Sequence, residues 1–350
     1  MLSRLWSPGS SHPRGLFFVL GMSAAVVMVL VATLMSASLG GRNQFAASPD
    51  TAEAATVARH PLTGASVEEA VRPVVFAVMV ENSVDVRPQS GVEDAFMVYE
   101  VPTEGNITRW MALFGDDQEV KEIGPVRSAR PYVVEWALPW QALYAHVGGS
   151  PEALELLRGV DGLVNLDEFF NAGRFWRSSK ALAPHNVFTE SSRLTEAWDE
   201  LAGEREPAYR SRSFKDEAVA ADRGGAQTIT VEFGHDAYNV AWTYSPETNR
   251  YARSQEGEES VMASGETIEA SNVAVLWTSV TTIDAEGRKR IATTGEGEAR
   301  LFQDGKVIEG TWRRTAPDAT LRWFNDAGKE IKWNAGQTWV EVLPVGYDVT

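Results

Sequence analysis

Three features of the sequence predict an α+β fold in two parts, a layered α/β domain followed by a mostly antiparallel β-rich domain, with one transmembrane helix ahead of both. The first is an uncharged apolar run, residues 16–35. The second is a stretch, 61–203, where strand-like and helix-like segments are interspersed, as in layers packed on a common core. The third is the change after residue 228, where short aromatic and β-branched runs are separated by turn formers.

Residues 1–14, with Arg4, His12 and Arg14, read as a cytoplasmic tail. Residues 15–36 read as a membrane anchor: no charge falls between Gly15 and Gly41, and twenty residues at helical rise span about 30 Å, the thickness of a bilayer's hydrocarbon core. The alternative is a cleaved secretory signal, for which Ser36-Ala37-Ser38 offers small residues near a cleavage point. The run, however, exceeds the roughly 7 to 15 apolar residues of a signal core. Arg42 follows the span and is soon joined by Asp50 and Glu53, so the positive-inside bias places the main body outside the cytoplasm. Residues 37–60, rich in Ala, Ser and Thr, read as a tether.

In the first domain, 61–203, the uninterrupted β-branched run 74–80 has the character of a strand covered on both faces. Segments 95–101, 109–114 and 142–147 read as further strands. Helices are expected over 129–138, over 151–158 with Ser150 as N-cap and Pro151 at the first position, and over 193–201 capped by Ser192. Residues 204–227, charged and poor in large apolar side chains, read as a linker. The second domain, 228–350, holds strand candidates at 229–233, 238–244, 251–253, 272–280, 290–293, 299–303, 307–312, 321–324, 330–333 and 338–342, with hairpin chemistry at 245–249, 284–287, 304–305 and 326–328. Its Trp312, Trp323, Trp333 and Trp339 fit a β core, the alternative being a sugar-stacking platform.

The formal charge of −16 argues against nucleic acid or an anionic membrane surface as the main partner, since both are bound by clustered cations. There is no cysteine, hence no disulfide framework, thiolate nucleophile, Cys-based metal site or Cys-linked lipid. No metalloprotease, nucleophile-elbow or paired-carboxylate signature is present, and no cofactor is expected.

Candidate chemistry concentrates in the first domain. The segment 123–131 sets Arg127 and Arg130 beside Ser128 between two prolines, which restrict the backbone around them. Paired guanidinium groups suit carboxylate or phosphate, with Arg109 as a third member. The structural alternative pairs them with Glu100, Glu104 or Glu135. His146-Val147-Gly148-Gly149-Ser150-Pro151 runs from a strand through two glycines into a capped helix, a junction that aims N–H groups and the helix dipole at one spot. The alternative is a tight turn with an ordinary cap. His185 and Asn186 follow Pro184 in a loop, so His146 and His185 are candidates for acid/base work, or else hydrogen-bonded structural histidines.

Several blocks together resemble the YerB-like lipoprotein family of Gram-positive bacteria, a family of unknown function with an N-terminal and a C-terminal module. They are Pro61-Leu62-Thr63-Gly64, Arg87-Pro88-Gln89-Ser90-Gly91, Tyr99-Glu100, segment 123–131, segment 146–151, Pro184-His185-Asn186, Trp242-Thr243-Tyr244, Tyr251-Ala252-Arg253, Gly310-Thr311-Trp312 and Thr338-Trp339-Val340-Glu341. The resemblance covers the chain from about residue 61 to its end and implies a two-module extracytoplasmic protein tethered to the membrane. It departs at the anchor, because many relatives look lipidated through a cysteine that this chain lacks. The resemblance transfers no catalytic residue.

The reading that results is a membrane-anchored, extracytoplasmic protein, held through residues 16–35, that binds a small anionic ligand or envelope component through Arg109, Arg127, Arg130, His146, Gly148, Gly149, Ser150, His185 and Asn186. The alternatives are an enzyme acting on an envelope polymer through His146 or His185, and a scaffold that recruits proteins.

Overall fold

The structure, a computed structural model, describes residues 58–350. The expected anchor, its cytoplasmic tail and nearly all of the tether lie outside the described residues, and among those described no helix is long and apolar enough to cross a membrane.

In chain order the main elements of the first part are β1 (Val75–Glu81), β2 (Met97–Pro102), β3 (Thr108–Gly115), α1 (Pro131–Ala137), β4 (Leu143–His146), α2 (Pro151–Gly159), β5 (Val164–Asp167) and α3 (Ser191–Leu201). Those of the second are β6 (Gln227–Val231), β7 (Val240–Ser245), β8 (Arg250–Gln255), β9 (Asn272–Thr278), β10 (Gly295–Gln303), β11 (Lys306–Arg314), β12 (Arg322–Asn325) and β13 (Thr338–Pro344). Strands from both parts share one ten-stranded sheet in the order β12-β11-β10-β9-β13-β2-β3-β1-β4-β5. Strands β1, β4 and β5 are parallel, as a layered α/β segment requires. The mostly antiparallel expectation for the second part needs a correction at its centre: β13 runs parallel to β9 on one side and to β2 on the other, which splices the two parts together.

Strand alternation divides the core into two layers. Phe76, Val78 and Val80 face one side, where the small antiparallel sheet of β6, β7 and β8 and helix α3 cover them. Val75, Ala77 and Met79 face the other, under α1 and α2. Every residue of β1 is buried, which accounts for its unbroken apolar run. Trp312, Trp323, Trp333 and Trp339 are all at most 5% exposed, so they fill the core and offer no stacking platform.

Three local expectations are corrected. Helix α1 starts at Pro131, not at 129, because Arg130 precedes the proline and is held extended. Helix α3 starts at Ser191 and has no side-chain cap; Ser191 Oγ instead accepts the Val120 N–H at 2.9 Å. Residues 330–333 form only isolated bridges, Glu330 to Phe324 and Trp333 to Phe214.

The small sheet meets the central sheet at a buried charge cluster. Arg253 of β8 donates to Glu100 of β2 at 2.8 Å, and both side chains are at most 1% exposed. Asn82 Nδ2 at 3.1 Å and Thr108 Oγ1 at 2.5 Å complete the Glu100 shell. The Arg253 guanidinium lies 5.2 Å from the ring centres of both Trp110 and Trp339. Glu341 of β13 is the register partner of Glu100 and accepts the Trp242 indole N–H at 2.8 Å.

One arginine cannot neutralise two carboxylates. Burial, then the neighbouring Glu100 charge, pushes the Glu341 carboxyl well above its ordinary 4.5. A raised folded value means the native state holds the proton more tightly than the unfolded chain. Its contribution is therefore fully present below about 4.5 and is lost as pH rises through the folded value. Glu341→Gln keeps an uncharged amide there, so it should match the parent protein's urea stability in acid and exceed it increasingly toward alkaline pH. Parallel pH profiles for the two proteins would contradict this assignment.

Candidate functional site

Where β1 and β4 end, at the same edge of the sheet, the structure forms a cleft of about 620 Å³. Segment 123–131 builds its floor by pairing with both neighbours. Glu81 N–H donates to Pro125 O and Arg127 N–H to Met79 O, each at 2.9 Å. On the other side Val147 N–H donates to Arg127 O at 3.0 Å, and Ala129 N–H donates to Gly148 O at 2.9 Å. Gly149 permits this approach: a Cβ there would sit 3.1 Å from Ala129 Cβ and 3.3 Å from its carbonyl oxygen. The Pro-flanked arginine segment is thus locked between a strand end and a helix start.

The arginines differ in how they are satisfied. Arg127 forms an ion pair with Glu81, the buried residue that ends β1, and donates to Pro184 O at 3.2 Å. Arg130 grips Glu104 with two hydrogen bonds, of 2.7 and 2.8 Å. Burial opposes both charges of that pair, but the mutual hydrogen bonds and attraction outweigh it, so Glu104 is lowered and Arg130 raised from their ordinary values. Arg109 is 6% exposed and has no carboxylate within ion-pair distance among the described residues. Among the described residues its one side-chain hydrogen bond runs from Nη1 to Ser128 O at 3.3 Å, and its Nε has no partner. Burial pushes this guanidinium below the usual arginine range; the Glu81 charge opposes the shift, while Arg130 and Arg127 add to it.

Helix α2 points its first turn at the same cleft. Ser150 is its N-cap, as the sequence predicts, and its hydroxyl accepts the Ala153 N–H at 3.3 Å with Pro151 next. Opposite, the hairpin between Val280–Thr282 and Lys289–Ile291 brings Glu286 and Arg288, the latter paired to Asp284 at 2.5 Å and to Glu152 at 3.4 Å. His185 lines the cleft with Nδ1 3.6 Å from Glu81.

Of the nine residues singled out from sequence, Arg109, Arg127, Arg130, Gly149, Ser150 and His185 line one cleft. Three do not. His146 is fully buried and uses both ring nitrogens, Nδ1 to Gly148 O and Nε2 to the Asn165 side chain, each at 2.7 Å. It holds the β4–α2 turn. Gly148, at φ +56°, is covered by Phe169 and donates its N–H to Asp167. Asn186 braces its own loop through Arg177 and Ser178. Sequence reasoning missed Glu81, although an acid closing an apolar strand is a visible irregularity. It also missed Glu286 and Arg288, which arrive from the second part only through the fold. Of the carboxylates weighed as structural partners, Glu104 is the one that pairs with a cleft arginine; Glu100 serves Arg253.

Residues 62–204 match the N-terminal domain, and residues 229–340 the C-terminal domain, of the family described as protein of unknown function DUF3048. Among curated proteins the chain is 31% identical over 306 residues to "Putative lipoprotein YerB" of Bacillus subtilis (strain 168), covering 85% of this chain and 89% of the relative. Among solved structures the crystal structure of the YerB protein from Bacillus subtilis is similar with a TM-score of 0.74 at 28% identity, covering 84% of this chain and 99% of that one. The resemblance read from the sequence blocks is therefore borne out.

The cap at the cleft wall is open to a direct check. Ser150→Ala removes the acceptor for Ala153 N–H and should lower stability to urea by about 1 kcal/mol. An unchanged midpoint would show that the cap does not hold the start of α2.

Proposed function

The chain belongs to the DUF3048 family, whose function is unknown, and we propose from its own cleft that it is a membrane-anchored, extracytoplasmic protein binding a small anionic ligand or an anionic envelope component. The observation that carries this reading is Arg109. Glu81 and Glu104 already serve Arg127 and Arg130, so the unmatched guanidinium of the cleft is Arg109, beside the first turn of α2. A carboxylate or phosphate oxygen supplies the missing acceptor and also meets the positive end of the helix dipole. The extracytoplasmic placement is supported by the apolar run 16–35 and by the relative's description as a lipoprotein. With no cysteine to acylate, the apolar run itself is the anchor in this reading.

A second reading, an enzyme acting on an envelope polymer, has one observation in its favour: His185 stands at the cleft with its Nδ1 3.6 Å from the Glu81 carboxylate. His146, with both nitrogens engaged in the core, offers it nothing.

Thermal shift of the full chain in detergent, with carboxylated and phosphorylated cell-wall fragments, tests the binding reading. A ligand at a hundred times its Kd stabilises a protein by about 2.7 kcal/mol, well within detection. Arg109→Met should abolish the shift; no shift with any fragment, or one that survives Arg109→Met, would refute it. The enzyme reading instead expects turnover of labelled cell-wall material that disappears in His185→Ala. No turnover by the parent protein would remove it.

A further inference from the structure

A second cavity, of about 460 Å³, lies between the central sheet and the small sheet and is independent of the cleft. Its volume is ordinary for a small-molecule site. Four residues that line it carry buried N–H groups without a hydrogen-bond partner: Arg87 Nε, Trp110 Nε1, Arg253 Nε and Gln255 Nε2. Trp110 and Arg253 are 1% exposed and Gln255 is 7% exposed. They come from the 84–90 loop, β3 and β8, so the fold alone assembles them.

The chemistry of this set is one-sided. Indole and guanidinium nitrogens donate and cannot accept, and the Gln255 carbonyl is already taken by Arg253 Nη1 at 3.2 Å. An occupant must therefore bring acceptors. It need not bring net negative charge, because Glu100 balances Arg253 and Glu256 balances Arg87, each at 2.8 Å. Glu258 and Glu259, both exposed on the rim, have no cationic partner among the described residues and favour a positive group there. Val84, Pro88, Val261 and Met262 supply apolar wall. Sugars bring acceptors as well, but carry no cationic group to meet Glu258 and Glu259. Phosphate does not fit the acidic rim.

We propose that this cavity binds a short peptide, with the peptide's carbonyl and carboxylate oxygens on the buried N–H donors and its free amino group at Glu258 and Glu259. Backbone carbonyls supply acceptors at close spacing, small side chains meet the apolar wall, and the ammonium group meets the glutamates. A buried donor left unmatched carries its full desolvation penalty. Such a donor set therefore discriminates strongly for an acceptor-bearing guest.

Isothermal titration of the full chain in detergent with trialanine and with N-acetyl-trialanine tests this. Trialanine should bind, and acetylation should weaken it by about tenfold through loss of the rim contact. Gln255→Met should weaken trialanine by about tenfold as well. Since Gln255 is buried, the surface variant Glu258→Gln with Glu259→Gln gives a second readout that does not disturb the core; it should erase the difference between the two probes. Absence of trialanine binding, or equal affinity for both probes in the parent protein, would overturn the proposal.

Discussion

The fold is organised around one guanidinium. Arg253 is 1% exposed and sits between two indole rings, and taking such a charge out of water costs several kcal/mol that a close, hydrogen-bonded counter-charge must offset. Glu100 is that counter-charge, and it belongs to the other part of the chain. Neither part can bury its member of the pair alone without an uncompensated ion. The pairing of β13 with β2 then brings Glu341 beside Glu100, where burial and the Glu100 charge both favour its protonated form. A slip of β13 by one residue in that register would turn Glu341 to the opposite face, where apolar side chains are packed. The ion cluster therefore specifies register more than it adds stability.

The same logic of paired charges shapes the cleft. The Pro-flanked segment could carry two free arginines, but the end of β1 and the turn before β3 each present a glutamate, and both arginines are consumed. What remains is a rigid frame: Arg127 and Arg130 fix the walls, and Arg109, less exposed than either, keeps its bonding capacity. A cleft with three free guanidinium groups would suit a polyanion. One with a single unmatched group suits a single carboxylate or phosphate.

Much of this was legible in the sequence wherever local pattern decides the outcome. The uninterrupted run of β1, the Ser150-Pro151 helix start and the buried tryptophans follow from alternation, capping and aromatic payload. Predictions failed where a distant residue competes for a group. Ser192 looks like a cap, but the helix starts two residues early, at Ser191, whose hydroxyl is drawn to the Val120 amide. His146 looks available to a ligand until Asn165 of the next strand occupies its Nε2. Glu81 is visible as an acid closing an apolar strand, but its partner, like the β13–β2 junction, is set by topology and not by spacing.

The cleft and the second cavity are the two faces of one piece of backbone. Arg109 and Trp110 are consecutive in β3, and strand geometry sends them to opposite sides of the sheet, one to the cleft and the other to the cavity. At the neighbouring strand end, Glu81 holds Arg127 in the cleft, while its carbonyl accepts from Gln89 at 3.1 Å on the cavity side. The next residue, Asn82, bonds Glu100 and so reaches Arg253. The sheet between the two sites is one strand layer thick and fully hydrogen-bonded there, so neither site opens into the other. Any influence of one occupant on the other must pass through the positions of Glu81–Asn82 and Arg109–Trp110. Across β1 and β3, Glu81 is the register partner of Arg109, and Val80 that of Trp110. A shift that loosened Glu81 from Arg127 would move the strand end that carries the Glu100–Arg253 shell. The interaction that joins the two parts of the chain is thus also the one through which its two sites would sense each other.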